Sequence, residues 1–251
     1  MNMANKILEV QNLKREFRMG IEVVRALKGV TFDVTAGEFV TIMGSSGSGK
    51  TTMLNILGCL DKPTDGKYLL DGVDIGQLSR NDLARLRNLK IGFVFQSYNL
   101  LPRTSALENV ELPLMYNSSV SAHDRKERAV RALEAVKLAD RLDHTPNQLS
   151  GGQQQRVAIA RALVNEPVMI LADEATGNLD SRTSYEIMSL FQELNQTQQK
   201  TIVFVTHEPD IASFSNRTLT LRDGKLLKDT PNENARSAKE VLAGLPVSDD
   251  Y

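Results

Sequence analysis

The sequence predicts an α/β fold built on a parallel β-sheet, and three observations lead to that prediction. Four short runs are apolar throughout and are separated by helical segments, namely Phe39–Met43, Ile91–Phe95, 168–172 and 201–205. Strands buried on both faces of a parallel sheet have this composition. A glycine-rich loop follows the first run, and a polar residue follows each of the others. Open α/β sheets bind ligands beyond the carboxyl ends of their strands, so these positions are expected to meet at one site.

The glycine-rich loop has the pattern G-x-x-x-x-G-K-[ST] between an apolar strand and a helical stretch. Together with the next residue of that stretch, it comprises Gly44, Ser45, Ser46, Gly47, Ser48, Gly49, Lys50, Thr51 and Thr52. Because glycine has no Cβ, such a backbone can curl around a phosphate with its N–H groups pointing inward. The helix that follows adds the positive end of its dipole. A glycine-rich turn that binds nothing is the alternative, and it fits this setting less well.

Two side chains of the loop complete the expected chemistry. Lys50 can supply a full positive charge to the β- and γ-phosphates of a nucleotide, and the Thr51 hydroxyl can ligate Mg²⁺. The loop therefore predicts a site for a nucleoside triphosphate with Mg²⁺.

Composition limits the remaining possibilities. The 251 residues include 30 basic and 31 acidic side chains, so no polyelectrolyte partner is implied. The single cysteine, Cys59, excludes an intramolecular disulfide and is expected to be a small core residue of a protein in a reducing cytoplasm. No run is apolar enough for a signal peptide or a membrane span. We therefore expect a soluble chain that reaches a membrane only through another chain.

The segment before the loop is predicted to form short strands over 7–17, 23–27 and 30–34, broken at Met19-Gly20, Lys28-Gly29 and Ala36-Gly37. Phe17 in the first strand could stack on an adenine ring or simply pack in the sheet. When only this residue is considered, packing in the sheet is favoured over adenine stacking, because aromatic residues are common in strands.

Beyond the loop, a hairpin is expected over 67–75 around Asp71-Gly72, followed by a helix capped by Ser79. From 97 to 167 strand signals are absent, and helices are predicted over 105–112, 122–136 and 154–164. This inserted helical lobe separates two parts of one sheet. A helix from Ser181, closing strands over 217–221 and 225–228 and a short helix near 235–242 complete the prediction, with 247–251 expected to be mobile.

The polar residues at the strand ends suggest catalytic roles. Asp173 can hold Mg²⁺, and Glu174 can polarise the attacking water or accept its proton. A neutral His207 could contact the γ-phosphate and position that water. Gln96 could ligate Mg²⁺ or sense the γ-phosphate.

A second loop resembles a phosphate cradle. Ser150, Gly151, Gly152 and Gln153 lead into a helix, so free N–H groups and a helix dipole face an anion. This loop has no lysine and lies on the inserted lobe. We therefore expect it to close over a nucleotide held by a second copy of the chain.

These motifs resemble those of ABC ATPases. Residues 44–51, Gln96, 149–153, 168–174, 177–180 and His207 are similar to the Walker A, Q-loop, signature, Walker B, D-loop and H-loop. The resemblance covers about residues 6–230. It implies a P-loop NTPase (RecA-like) core with an antiparallel β subdomain over about 1–96 and 165–230, a helical subdomain over about 97–164 and a C-terminal extension over 231–251. It also implies ATP and Mg²⁺ as cofactors and a contact of Asp180 with the nucleotide site.

Further stretches are similar to one subgroup of this family. They are 60–64, 96–102, 106–110, 153–163 and 172–174, and the subgroup includes macrolide exporters, lipoprotein-release complexes, the cell-division ABC system and peptide-resistance pumps. The resemblance implies a bacterial ATPase that dimerises head to tail around two ATP molecules. It would drive a membrane permease with few spans and a large extracytoplasmic domain, from the cytoplasmic face of the inner membrane. Its docking segment would include 97–104.

Two positions depart from the subgroup pattern. Phe17 stands where the subgroup usually has an adenine-stacking tyrosine, and this resemblance favours stacking over simple packing. Ala175 follows the Walker B glutamate where proline is usual. Alanine restores a backbone N–H and removes no catalytic group, so activity is expected to persist.

Two other classes of function remain as alternatives. An ABC ATPase acting on nucleic acid or ribosomes would be expected to carry a coiled coil, zinc cysteines or two cassettes with a charged linker. A nucleotide-binding module without turnover would lack Glu174 or His207, and both are present.

Overall fold

The computed structural model describes residues 5–246, which form ten strands, eight α-helices and three short 3₁₀ turns. The strands are β1 Lys6–Met19, β2 Glu22–Thr35, β3 Phe39–Met43, β4 Asp65–Leu70, β5 Val73–Asp74, β6 Ile91–Phe95, β7 Met169–Asp173, β8 Thr201–Thr206, β9 Arg217–Arg222 and β10 Lys225–Pro231. The helices are α1 Lys50–Leu57, α2 Arg80–Lys90, α3 Ala106–Met115, α4 Ala122–Ala135, α5 Gly151–Leu163, α6 Ser181–Gln198, α7 Pro209–Ala212 and α8 Ala238–Gly244.

A six-stranded sheet with the order β10-β9-β3-β8-β7-β6 forms the centre of the molecule. The four predicted apolar strands, β3, β8, β7 and β6, are adjacent and parallel. In this register Phe95, Asp173 and Val205 lie at one level. The polar residues that follow these strands therefore emerge at one edge, which confirms the predicted α/β class.

Each face of the central sheet has its own apolar core. Alternate residues such as Phe39, Ile170 and Phe204 pack with α3, α4, α5 and α6 on one face. Their neighbours, such as Val40 and Leu171, pack with α1 and the second sheet on the other. Side chains of successive strand residues point to opposite faces, so burying both faces requires strands that are mainly apolar, as these are apart from threonines such as Thr41 and Thr201.

The second sheet is antiparallel, with the order β2-β1-β4-β5. The predicted break at Lys28-Gly29 is wrong, because β2 is continuous through this point. Leu13 pairs with Val30 and Lys14 with Lys28, which leaves Gly29 unpaired as a β-bulge with φ of 89°. Glycine adopts this backbone conformation without steric cost.

The helical segment between β6 and β7 has the predicted position, and two of its helices have different bounds. Helix α3 continues through Pro113 to Met115. Helix α5 begins at Gly151, three residues earlier than predicted, because Ser150 and Gln153 form a capping box. The second glycine-rich loop therefore forms the first turn of this helix.

The C-terminal part of the described chain packs on α6. Ala238 of α8 is fully buried, and its backbone N–H donates to the Gln192 side chain at 2.9 Å. The predicted short helix is confirmed with bounds Ala238–Gly244. The prediction for 247–251 lies outside the described residues, and the division into subdomains stays a prediction.

Candidate functional site

A cleft of about 1180 Å³ lies at the carboxyl edge of the central sheet. Its lining includes most of the glycine-rich loop together with Gln96, Asp173, Glu174 and His207. The loop residues in the lining are Gly44, Ser45, Ser46, Gly47, Gly49, Lys50, Thr51 and Thr52. Ser48 is buried and does not line the cleft, although the sequence predicted that it would bind the ligand.

The loop folds around its own lysine. The Lys50 ammonium donates to the carbonyls of Gly44 and Ser45, at 2.7 and 3.0 Å. Gly49 precedes α1 with φ of 104°, and a Cβ there would lie 2.8 Å from the Ala26 carbonyl oxygen. Only glycine fits this position, so the loop can turn sharply into the N-terminus of α1.

The two acidic residues at the end of β7, Asp173 and Glu174, differ in environment. Burial and the nearby Glu174 raise the pKa of Asp173, and Lys50 partly opposes this shift. A carboxylate whose ionised form is disfavoured by its surroundings gains from a bound cation. Asp173 and Thr51 both line the cleft, so they fit the predicted Mg²⁺ site.

Glu174 is held by its backbone and by a histidine. Its N–H donates to the Val205 carbonyl at 2.9 Å, and its φ is 45°. His207 Nδ1 lies 2.8 Å from Glu174 Oε1. The side chain of Glu174 is 26% exposed and that of His207 is 59% exposed, so both remain open to the cleft. This pair can orient a water molecule and accept its proton.

Gln96 is paired with a residue outside the cleft lining. Its Nε2 donates to Asn178 Oδ1 at 3.2 Å, and Asn178 Nδ2 donates to the Gln96 carbonyl at 3.1 Å. These reciprocal bonds connect the end of β6 with the segment before α6. The sequence placed Gln96 at the site but did not predict this contact.

Comparison with known proteins agrees with this geometry. Residues 27–177 match the profile of the ABC transporter family. The chain belongs to the ABC transporter family. An uncharacterized ABC transporter ATP-binding protein of Thermotoga maritima is 55% identical over 88% of this chain and 94% of its own length. The macrolide export ATP-binding/permease protein MacB of Brucella melitensis is 49% identical over 94% of this chain but only 36% of its own length.

A solved structure of the family resembles the whole fold. The ATP-binding cassette from Methanocaldococcus jannaschii, in a dimeric post-hydrolysis state with ADP and Pi, has a TM-score of 0.81 and 48% identity. The alignment covers 90% of this chain and 99% of that one. The prediction that this chain is an ABC-type ATPase with a P-loop NTPase fold is therefore confirmed.

The ABC signature segment lies away from the cleft of its own chain. Ser150 accepts from the Gln153 N–H at 3.3 Å, and Gln153 Oε1 accepts from the Ser150 N–H at 2.9 Å. Gly151, Gly152 and these two residues are absent from the cleft lining. Asp180 is also outside it and caps α6 through the Thr183 N–H at 2.9 Å.

Phe17 does not line the cleft but pairs across the sheet with Val24, which does. The Phe17 ring is 37% exposed. Directly paired residues of an antiparallel sheet point to the same face, so Phe17 and Val24 share a face. The prediction that Phe17 stacks on adenine therefore remains a proposal.

One wall of the cleft was not predicted from the sequence. It is formed by β2 of the antiparallel sheet and by the β9–β10 hairpin. These lining residues are Val24, Arg25, Ala26, Lys28, Thr220, Asp223 and Gly224. The Gly224 carbonyl accepts from the Lys28 N–H at 2.8 Å, and the Gly224 N–H donates to the Ser48 carbonyl at 3.0 Å. The two strands on either side of Gly224 were predicted, but strand signals do not indicate which distant segment the connection between them contacts.

Proposed function

We propose that this chain is the ATP-hydrolysing subunit of a bacterial complex, and that it drives a membrane permease in export or in lipoprotein, peptide or drug extrusion. One observation carries the proposal: Asp173, Glu174 and His207 line the same cleft as the phosphate loop. That arrangement combines nucleotide binding with a base for hydrolysis.

In this proposal the loop and Lys50 bind the phosphates of ATP, and Phe17 contacts the adenine. Thr51, Asp173 and Gln96 hold Mg²⁺, which neutralises charge on the phosphates when bound. Glu174 accepts a proton from the attacking water. His207 keeps the Glu174 carboxylate oriented through its Nδ1.

The second proposed component is another copy of the chain. Ser150, Gly151, Gly152 and Gln153 form the start of α5 but lie outside the cleft of their own chain. The capping box occupies the N–H groups of Ser150 and Gln153, which leaves those of Gly151 and Gly152 for an anion. Head-to-tail pairing would bring them, and Asp180, to the nucleotide of the other copy. The dimeric Methanocaldococcus cassette bound to ADP and Pi supports this arrangement.

A groove of about 890 Å³ at the β6 edge of the central sheet supports a permease partner. Its apolar lining includes Leu89, Phe93, Phe95, Leu112, Pro113 and Tyr116. We propose that a short cytoplasmic helix of the permease binds here. Of the segment 97–104, only Asn99 lines the groove, while Leu100 packs against the core. The proposed docking surface is therefore shifted toward α2 and α3.

The names of the relatives support a permease partner. MacB is named as an ATP-binding/permease protein, and the Thermotoga relative as an ABC transporter ATP-binding protein. Among residues 5–246, no helix combines the length and apolarity needed to span a bilayer. We propose that the permease holds this chain at the cytoplasmic face of the membrane.

Co-purification with the membrane protein encoded beside this chain tests the proposal. Leu89→Glu and Tyr116→Glu place charges in the groove, and Leu227→Glu is the matched control. Leu227 is 54% exposed on β10, at the opposite edge of the sheet. We expect both groove variants to lose the permease while their isolated ATPase stays within about twofold of wild type, since surface substitutions usually change stability little. The control should retain the permease.

Undiminished association of both groove variants with the permease would place the docking surface elsewhere. Stimulation of the ATPase by DNA or RNA instead of by the permease would favour the nucleic-acid alternative.

A further inference from the structure

The last part of the loop between α1 and β4, residues 60–64, has no role in the phosphate chemistry described above. We call it the bridging loop. Its first end is fixed to the C-terminal part of α1, because the N–H groups of Leu60 and Asp61 both donate to the Asn55 carbonyl, at 2.8 and 3.1 Å. The same helix begins with Lys50 at the phosphate loop. The bridging loop is therefore anchored to the element that binds phosphate.

The other end of the bridging loop is fixed to β1 just before Phe17. The Thr64 N–H donates to the Lys14 carbonyl at 2.8 Å. The Thr64 hydroxyl accepts from the Glu16 N–H at 3.0 Å. These bonds hold the backbone on both sides of Arg15.

The side chain of Arg15 is held by Asp61 of the same loop. Its Nη2 donates to Asp61 Oδ1 at 2.9 Å, and its Nε lies 2.8 Å from Oδ2. The two side chains are only 23% and 30% exposed. One hydrogen bond and one short ion-pair contact hold the guanidinium against the carboxylate, although the Nε contact lacks hydrogen-bond geometry.

The Arg15 guanidinium in turn covers the ring of Phe17. Its central carbon lies 4.5 Å from the ring centroid, which is a cation–π distance. The ring keeps exposed surface on the sheet face that it shares with Val24 of the cleft. Arg15 thus supports one side of the ring and leaves the rest accessible.

We propose that Asp61 and Arg15 are positioning residues for Phe17, and that the bridging loop sets the spacing between the adenine contact and the phosphate loop. The inference rests on the proposed stacking of adenine on Phe17. Neither Asp61 nor Arg15 lines the cleft, so they act through the ring. Because adenine binding contributes to affinity and not to the chemical step, their loss affects KM rather than kcat.

The test compares Asp61→Asn with Asp65→Asn. Asp65 directly follows the bridging loop as the first residue of β4 and pairs with Lys14 at 2.7 Å. Asp61→Asn should raise KM for ATP about two- to tenfold with kcat unchanged, which is the range expected from losing a cation–π support. Asp65→Asn should change neither value. Inorganic tripolyphosphate has no base, so its inhibition constant should be the same for wild type and both variants.

Phe17→Ala separates this inference from the proposed function. It should raise KM for ATP, and adding Asp61→Asn should raise it no further. If Phe17→Ala leaves KM unchanged, the adenine contact and the positioning role are both wrong. If Phe17→Ala raises KM and Asp61→Asn does not, only the positioning role is overturned.

The positioning role would also be overturned if Asp61→Asn raised the tripolyphosphate inhibition constant together with KM, because the phosphate loop would then have loosened. Should circular dichroism show that Asp61→Asn is unfolded, Arg15→Gln decides by the same criteria.

Discussion

At the scale of single residues, Lys50 carries the only full positive charge of the phosphate loop. Lys50→Ala should weaken ATP binding at least tenfold, because a charge-assisted hydrogen bond contributes about 1.5–3 kcal/mol. Calorimetry of ATP binding measures this loss. Lys90→Ala is the control, since Lys90 pairs with Asp71 on the surface at 2.8 Å and lies outside the cleft. Hydrolysis by Lys50→Ala near the wild-type rate would contradict the role of Lys50.

Asp173, the proposed Mg²⁺ ligand, is expected to cost stability in the absence of a cation. Its raised pKa means that the folded state disfavours the ionised carboxylate, chiefly through burial and then through Glu174. The penalty is therefore present above the folded pKa and is relieved as pH falls through it. Asp173→Asn removes the penalty at neutral pH.

We expect Asp173→Asn to raise the melting temperature of the nucleotide-free protein and to abolish Mg²⁺-dependent ATPase. A gain of about 1 kcal/mol would correspond to about 2–4 °C for a chain of this size. Calorimetric melting without nucleotide measures the first effect. A lower melting temperature would show that the carboxylate stabilises the fold.

At the scale of elements, Arg217 at the start of β9 joins both sheets. Its guanidinium contacts Asp229 of β10 at 2.7 Å through two nitrogens, and it also reaches Glu38 Oε1 and the Asp33 carbonyl. These acceptors raise the pKa of Arg217 above its ordinary value. With only 18% of the side chain exposed, the contacts are partly shielded from water.

Arg217→Ala should lower the free energy of unfolding by about 2 kcal/mol, because it leaves partly buried carboxylates without a partner. Urea denaturation measures the change. Arg222→Ala is the matched control on the same strand, since the Arg222 side chain is 71% exposed and lies 3.6 Å from Asp223. Equal effects of the two substitutions would contradict the account of Arg217.

The elements differ in how well the sequence predicts them. The four central strands were predicted because their apolar runs indicate burial on both faces of a sheet. The helix after Ser79 was predicted because serine is a preferred N-cap residue. The break at Gly29 was wrong, since a glycine signals positive φ but does not distinguish a turn from a bulge. The Arg15–Asp61 pair joins residues 46 positions apart, and no local pattern encodes such a contact.

The candidate site shows the same limit. Motifs identified the phosphate loop and the residues after the strands, because their chemistry depends on local spacing. The wall formed by β2 and the Gly224 turn escaped prediction, since it depends on how the two sheets pack. Ser48 matched the motif, but it is buried and does not line the cleft, so its contact with the ligand stays a prediction.

At the scale of the whole molecule, the account depends on a site shared by two copies. Within one chain the signature segment caps α5 and lies outside the cleft. Ser150→Arg would place a long cationic side chain where the other copy's nucleotide is proposed to lie. It should abolish ATP-dependent dimers while leaving nucleotide binding by one copy intact.

The most direct measurement is the mass of the Glu174→Gln variant in solution with saturating ATP and Mg²⁺. Removing the general base typically slows hydrolysis by about 10²–10⁴-fold, so the ATP-bound state should accumulate. Light scattering should then give twice the 27.8 kDa of one chain, and the added Ser150→Arg substitution should return it to one. A mass of one chain for Glu174→Gln at saturating ATP would contradict the two-copy site.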